Sequence, residues 1–309
     1  MTSTATSTPP PTALVEPGPI MGSTVAILCA DDRRAGALAL LRRLEGRWSR
    51  FLPDSDISRV NRAGGAPVQV DPATIRLLTE LALAWRRTDG DFDPTLLGPL
   101  AALGYDTSRT DPRRRTALPA SIASRGRPDE ILVDTARALV VLPMGTVIDP
   151  GGLGKGLAAD MAVEHLESAG DDGPLLVEIG GDLRVGGTPP SGGFTVDIWD
   201  PERRHPRHRI ALAAGGVATS STLLRTWRSD GVDRHHLLDP RSTLPSANGV
   251  IACTVVAGTA AWAEALTKIA FVRPIAETVG RLEAFGVDAL VTADDGTEHT
   301  TSNWRGFLA

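Results

Sequence analysis

The sequence predicts a single α+β domain, and three observations lead there. A chain of 309 residues with 42% hydrophobic content can bury a large core. Strands and helices are mixed without a regular βαβ rhythm, which argues against a doubly wound sheet. No segment repeats at the periods of solenoid proteins. Residues 1–18 are rich in Ser, Thr, Pro and Ala and read as a disordered tail, which leaves 19–309 as the domain. The tail has no basic and apolar leader pattern and no cysteine that could be acylated. No apolar run approaches the roughly 20 residues that span a bilayer. A net charge of -5 gives no reason to expect nucleic acid as a partner. The two cysteines, Cys29 and Cys253, have neither metal nor redox spacing. The expectation is a cytoplasmic protein without a membrane anchor.

In chain order, Met21 to Leu28 predicts a strand. Asp31 or Asp32 can cap a helix whose apolar face is Leu38, Leu41, Leu44 and Trp48. Leu52 to Gly65 reads as a polar loop. Asp71-Pro72 is an N-cap followed by proline at the first helical position, and Ile75, Leu78, Leu81 and Trp85 share one face of the helix behind it. Thr107 to Arg127 is polar, carries three consecutive arginines, and reads as a solvated excursion. Ile131–Val133 and Leu139–Leu142 form a hairpin pattern. A helix is expected from Leu157 to about Ser168, then strands at Leu175–Ile179, Phe194–Ile198, Ile210–Leu212, His235–Leu238 and Val250–Val256. Helices near Gly258 and over Ile275–Phe285 and a strand at Ala289–Thr292 close the chain.

The segment from Ile148 to Asp160 is the most informative. An apolar strand end runs into Gly151, Gly152, Gly154 and Gly156, with Lys155 among them and a helix behind. Glycines let a backbone approach a ligand closely, free amides at a helix start attract anions, and a lysine adds a point charge. The spacing is neither the Walker nor the Rossmann pattern. Taken alone, the segment can equally be a tight strand-to-helix turn.

Further polar segments are dense in chemistry. They are Ser49–Asn61, Thr88–Thr95, Val177–Asp182, Val217–Ser221, His235–Ser242 and Ala263–Lys268. Each also has a structural reading: Asp-Pro pairs make turns, adjacent histidines face opposite sides of a strand, and Glu264–Lys268 is an ordinary helix pair. In order, however, they resemble the ApbE family, the FAD:protein FMN transferases. The signatures are Met21-Gly22-Ser23, the Ser49 to Asn61 run and the Asp89 to Thr95 run. The Asp149 to Asp160 run, Gly180-Gly181-Asp182, Thr219-Ser220, the His235 to Arg241 run and Glu264 complete the series. The likeness extends from about Ile20 to Phe271.

The resemblance implies one α+β, T-fold-related unit around a central flavin cleft. It implies an enzyme that uses FAD and Mg2+, moves FMN onto a Ser or Thr hydroxyl of an acceptor flavoprotein, and releases AMP. An FAD pyrophosphatase or a non-catalytic FAD-binding protein are the alternatives. His236 is expected as the base, with His235 as the alternative, beside Asp239 and Lys155. Met21, Ser55, Asn61, Asp89, Phe92, Asp93, Gly151, Gly152, Asp160, Gly180, Gly181, Asp182, Thr219, Ser220, His235 and Arg241 are expected around FAD. For the metal, the family pattern has an Asp with a Thr four residues later and a carbonyl from the Gly-rich loop. Here the aligned positions are Glu264, Lys268 and Gly154. Either Glu264 coordinates with Thr267 or water filling the gap, or Lys268 replaces part of the cation's charge. Ser242-Thr243 and Glu178 also depart from the pattern, close to the cleft.

Overall fold

An eight-stranded antiparallel sheet organises the molecule. The computed structural model describes residues 14–16, 18–122, 126–200 and 205–309. In chain order the elements begin with β1 (Leu14–Val15), β2 (Val25–Leu28), α1 (Asp31–Trp48), α2 (Asp56–Arg62), β3 (Val68–Gln69), α3 (Pro72–Arg87) and α4 (Leu97–Ala102). Next come β4 (Leu132–Asp134), β5 (Leu139–Val141), α5 (Gly154–Ser168), β6 (Pro174–Ile179), β7 (Asp182–Gly187), β8 (Phe194–Trp199) and β9 (Pro206–Leu212). The last are β10 (Gly215–Ser221), β11 (Thr226–Ser229), β12 (Val232–His235), β13 (Val250–Ala257), α6 (Ala260–Thr267), α7 (Ile275–Ala284), β14 (Asp288–Ala293) and β15 (Glu298–Thr300). The main sheet has the order β1-β2-β6-β7-β10-β13-β14-β15.

Both faces of this sheet are covered, as the four consecutive apolar residues of β2 require. On one face Val25 and Ile27 of β2 and Leu175, Val177 and Ile179 of β6 join Leu41, Leu44 and Trp48 of α1 and the apolar side of α5. Leu28, Val185, Val217 and Val256 point the other way, into a cluster with the β8–β9 hairpin and Trp304. This is the two-residue alternation of a strand between two layers. A third cluster joins β13 and β14 to α6 and α7.

Two helices of the core, α5 and α6, approach closely at Gly156. A Cβ there would lie 2.4 Å from the Ala260 carbonyl oxygen, so glycine alone fits the contact. The carboxylate of Asp160, one turn further along α5, accepts the amides of Ala260 and Ala261 at 2.9 Å each. It therefore satisfies two of the free amides at the start of α6.

Several sequence expectations need correction. The polar stretch after Leu52 contains α2, capped by Ser55, whose Oγ accepts the Ser58 amide at 3.1 Å. Asp31 and Asp32 lie inside the first turn of α1, which begins after Ala30 without a side-chain cap. Within the expected tail, residues 1–13 and 17 lie outside the described residues, whereas Leu14 and Val15 pair with Ile27 and Ala26 of β2. The strand expected at His235–Leu238 ends at His235. Asp71 does cap α3, accepting the Ala73 amide at 2.9 Å.

Candidate active site

The Gly-rich segment is held from below by a side chain acting as a strand partner. Asn61 Oδ1 accepts the Ile148 amide at 2.8 Å, and Asn61 Nδ2 donates to the Ile148 carbonyl at 2.9 Å. Asp149 then turns the chain, its Oδ1 accepting the Gly151 amide at 2.9 Å. Pro150–Gly152 make a 3-10 turn, and α5 starts at Gly154, so Gly154 and Lys155 belong to its first turn. Gly152 lies against the Phe92 ring, with space of only 2.9 Å for a Cβ. That contact joins the loop to the Asp91–Pro94 segment along one wall of a cleft of about 350 Å³.

Beyond the loop lies a buried cluster of two acids and two ammonium groups. Lys155 Nζ donates to Asp182 Oδ2 and to Glu264 Oε1, the latter at 2.7 Å. Glu264 Oε2 accepts the Gly156 amide at 2.8 Å. Lys268 Nζ donates to the Glu264 carbonyl at 2.9 Å, Ser220 Oγ at 3.1 Å and Thr267 Oγ1 at 3.2 Å. Burial opposes the charge of Lys155, but Asp182 and Glu264 outweigh it and raise its pKa. Burial also pushes Glu264 up, yet the two lysines dominate and hold it below the usual range. Asp182, buried and beside Glu264, is pushed up to about 6 despite Lys155. Burial pulls Lys268 down to about 8 against the attraction of Glu264 and Asp182. With Arg225, which also lines the cleft, the group is net cationic.

This arrangement does not fit a divalent cation. Magnesium needs open hard oxygens at roughly 2.0–2.1 Å in an octahedron. Both Glu264 oxygens already accept from N–H donors, and the hydroxyls of Ser220 and Thr267 surround the Lys268 ammonium. Among the described residues no group of three or more His, Cys, Asp or Glu side chains could hold a metal. Of the expected set of Gly154, Glu264 and Thr267, the last two meet around an ammonium, while Gly154 lines the cleft at the start of α5.

The cleft lining is also rich in aromatic and basic residues. The chain has only six Trp, six Phe and one Tyr, and Trp48, Phe51, Phe92, Tyr105 and Phe271 all line this one cleft. Tyr105 stacks on Trp227 with ring centroids 5.1 Å apart. Arg50 is buried beneath them, 4.2 Å from the Phe51 ring centroid, and its Nε lies 3.3 Å from Asp149 Oδ2. Arg109 and Arg114 reach the cleft from the stretch read as a solvated excursion, which is a correction to that reading. Arg109 is fixed by the Thr226 carbonyl at 2.6 Å, which links its loop to the β11–β12 hairpin.

The two histidines part company. His235 Nε2 lies 3.1 Å from the Ser246 carbonyl, and His235 is not part of the cleft. His236 lines the cleft, and its Nδ1 is buried with no protein partner. Burial, then the charges of Arg225 and Lys268, hold its pKa well below the usual imidazole value, so it is neutral at pH 7.

Of the other expected residues, Met21, Phe92, Asp93, Gly151 and Gly152 line the cleft. Asp93 Oδ1 accepts the amide and hydroxyl of Thr95. Others lie outside the cleft lining and make contacts within the protein. Ser55 caps α2, Asn61 holds Ile148, and Asp160 caps α6. Thr219 meets Thr254 at 2.9 Å on the sheet. Gly180 and Gly181 make the β6–β7 turn with φ of 61° and 94°. Asp89 is exposed in a left-handed turn with φ 56°. Asp239 Oδ1 accepts the Arg241 amide at 2.9 Å, a turn contact outside the cleft lining. Arg241 reaches Asp91, a buried carboxylate that also binds Arg273 at 2.9 Å and Arg281 at 3.1 Å. Asp91, Arg50, Arg225 and Arg109 were missed, because nothing local distinguishes them from other charged residues. The Asp-Gly-Asp sequence at 89–91 was the one available hint for Asp91.

Fold and cleft together define an α+β protein built to hold an anionic ligand with a flat ring system. The ApbE family model matches residues 21–291, and the chain belongs to that family. It is 25% identical over 324 residues to the FAD:protein FMN transferase of Vibrio cholerae, covering 94% of this chain and 92% of that protein. It is 28% identical to the FAD:protein FMN transferase of Treponema pallidum, covering 83% and 75%. The crystal structure of the ApbE protein from Thermotoga maritima superposes with a TM-score of 0.83 at 26% identity, covering 97% of this chain and 99% of that one. The flavin transferase ApbE from Vibrio cholerae shares the fold with a TM-score of 0.77 at 24% identity, covering 97% and 100%. Among the described residues no helix is long and apolar enough to cross a membrane.

Proposed function

We propose that this protein transfers the FMN half of FAD to a Ser or Thr hydroxyl of an acceptor flavoprotein. The observation that carries the reading is the convergence of the Gly151–Gly154 turn, Lys155, Lys268, Arg225 and His236 on a cleft with an aromatic wall. A pyrophosphate carries negative charge that grows on the leaving phosphate during cleavage, and fixed donors and cations stabilise it without reorganising. The start of α5 and the lysine cluster supply them. Tyr105, Phe51 and Phe92 offer flat surfaces for a ring system.

In the reaction, the acceptor hydroxyl oxygen bonds to the flavin-side phosphorus. The bond from that phosphorus to the bridging oxygen breaks, and AMP leaves with the oxygen and the electron pair. The hydroxyl proton passes to His236, whose neutral imidazole in the cleft lining suits a base. Lys155 and Arg225 hold the phosphates, Gly151 and Gly152 allow close approach, and Asp182 and Glu264 fix the lysines. Asn61, Ser55 and Asp160 position the walls without touching ligand. Magnesium, which the resemblance implies, takes part in none of these steps, because the oxygens that would bind it surround Lys268. The same reading assigns the enzyme to the cytoplasm; the free thiols of Cys29 and Cys253 are consistent with a reducing compartment.

The test is to incubate protein with FAD, with and without a candidate acceptor, and to follow AMP and the acceptor mass. Acceptor-dependent AMP and an acceptor heavier by FMN support the proposal. AMP released equally without acceptor points to a hydrolase, and no AMP in either arm to a binding protein.

A further inference from the structure

We propose that Lys268 is the resident cation of the cleft, and that this chain grips the FAD pyrophosphate without a divalent metal. The inference rests on the FAD reading above. Its ground is the coordination of the ammonium. A lysine has three N–H donors and no acceptor. Here they meet three oxygens, one carbonyl and two hydroxyls: Glu264 O at 2.9 Å, Ser220 Oγ at 3.1 Å and Thr267 Oγ1 at 3.2 Å. The Glu264 carboxylate stands 4.0 Å away as counter-charge. Hard oxygens of this sort, a carbonyl and hydroxyls beside a carboxylate, are what a magnesium ion would otherwise take.

The fit is built in by the fold. Lys268 follows α6, so its stem folds back over the last turn toward the Glu264 carbonyl. Its Cε lies 3.5 Å from where a Cβ of Gly152 would be, which brings the charge against the Gly-rich turn. Ser220, near the end of β10, is the one cage oxygen supplied from outside this helix end. The second carboxylate, Asp182, is engaged by Lys155. A metal entering the cage would have to expel the ammonium and then lie beside Lys155. Replacing the mobile ion by a tethered one makes the site independent of metal supply.

FAD affinity of the full chain, measured by calorimetry after dialysis against EDTA and again in millimolar MgCl2, tests this directly. Equal affinity in the two buffers, with no heat from MgCl2 titrated alone, is expected. Lys268→Met should weaken FAD binding in EDTA by about tenfold or more, the scale for losing a unit charge held near the pyrophosphate in a poorly screened site. Lys268→Thr should empty the cage and make FAD binding respond to MgCl2. Wild-type binding that requires magnesium overturns the inference and leaves the FAD reading intact. Failure to bind FAD in either buffer overturns both. Lys268→Met binding as wild type in EDTA also overturns it. The wild-type comparison needs no variant, so it decides the matter even where a substitution impairs folding, which thermal melting reports.

Discussion

Replacing Lys155 by methionine keeps most of the side-chain volume and removes only the ammonium. Asp182 and Glu264 then stay buried, at 2% and 1% exposure, with the contacts to Lys155 lost. Lys268 remains, but its Nζ is 4.0 Å from the nearer Glu264 oxygen. Removing one partner of a buried ion pair typically costs about 3–5 kcal/mol, because a charge is left without compensation. That is a large part of the roughly 5–15 kcal/mol that holds a domain folded. Asp182 limits the loss by taking a proton, since burial and Glu264 already push its pKa up to about 6. A carboxyl with a raised folded-state pKa stabilises the fold below its unfolded pKa, and that stability is lost as pH rises through the folded value. Without the Lys155 charge, which lowers it, the Asp182 pKa rises further, so the variant should keep losing stability above pH 6, where this group's contribution in the parent has levelled off. Urea denaturation followed by tryptophan fluorescence reads this out. Adding Asp182→Asn should recover at least about 1 kcal/mol, a coupling expected of contacting residues. A Lys155→Met protein within about 1 kcal/mol of the parent at pH 8, or one that Asp182→Asn fails to rescue, would refute the view that the cluster is held by this ammonium.

Other expectations do not depend on the Lys155 ammonium. His236→Ala should slow transfer by about 10²–10⁴-fold with FAD still bound, while His235→Ala should not; single-turnover AMP release separates the two. Gly156→Ala should destabilise by about 1–3 kcal/mol, because the helix gap must widen from a 2.4 Å contact; an unchanged urea midpoint would show that α5 can move freely. Asp160, pushed up to about 6 by burial despite the Ala260 and Ala261 amides, stabilises the fold at acid pH and loses about 3 kcal/mol of that as pH rises through 6. Asp160→Asn should flatten this part of the stability–pH curve, and an unaltered slope would assign the slope elsewhere.

The periodic elements were legible because their cause is local. Ile75, Leu78 and Leu81 recur at helical spacing, and all are buried on α3. Asp71-Pro72 announced its helix start, and the Gly-rich turn announced close approach. The short α2 was not legible, since its seven residues, Asp-Ile-Ser-Arg-Val-Asn-Arg, look like a polar loop. Site roles failed wherever the partner is remote. Asp160 reads as a ligand contact beside the glycines, yet its partners lie 100 residues away. Asn61 is separated from Ile148 by 87 residues. Arg109 reads as solvated because only the folded chain sets the β11–β12 hairpin beside it. Lys155 and Asp182, expected around FAD, and Glu264 and Thr267, expected at a metal, share one buried cluster in the folded chain, and Lys268 joins it through Thr267, Ser220 and the Glu264 carbonyl.

The paired contacts between Asn61 and Ile148 have a further consequence. An amide side chain reproduces both halves of a ladder rung, so the segment entering the Gly-rich turn is braced although no strand runs alongside it. The turn is therefore held by contacts that need no ligand, which lowers the ordering entropy lost on binding. Asn61→Asp would supply no donor for the Ile148 carbonyl and would let the socket wander. The ligand would then meet a moving target rather than a finished mould.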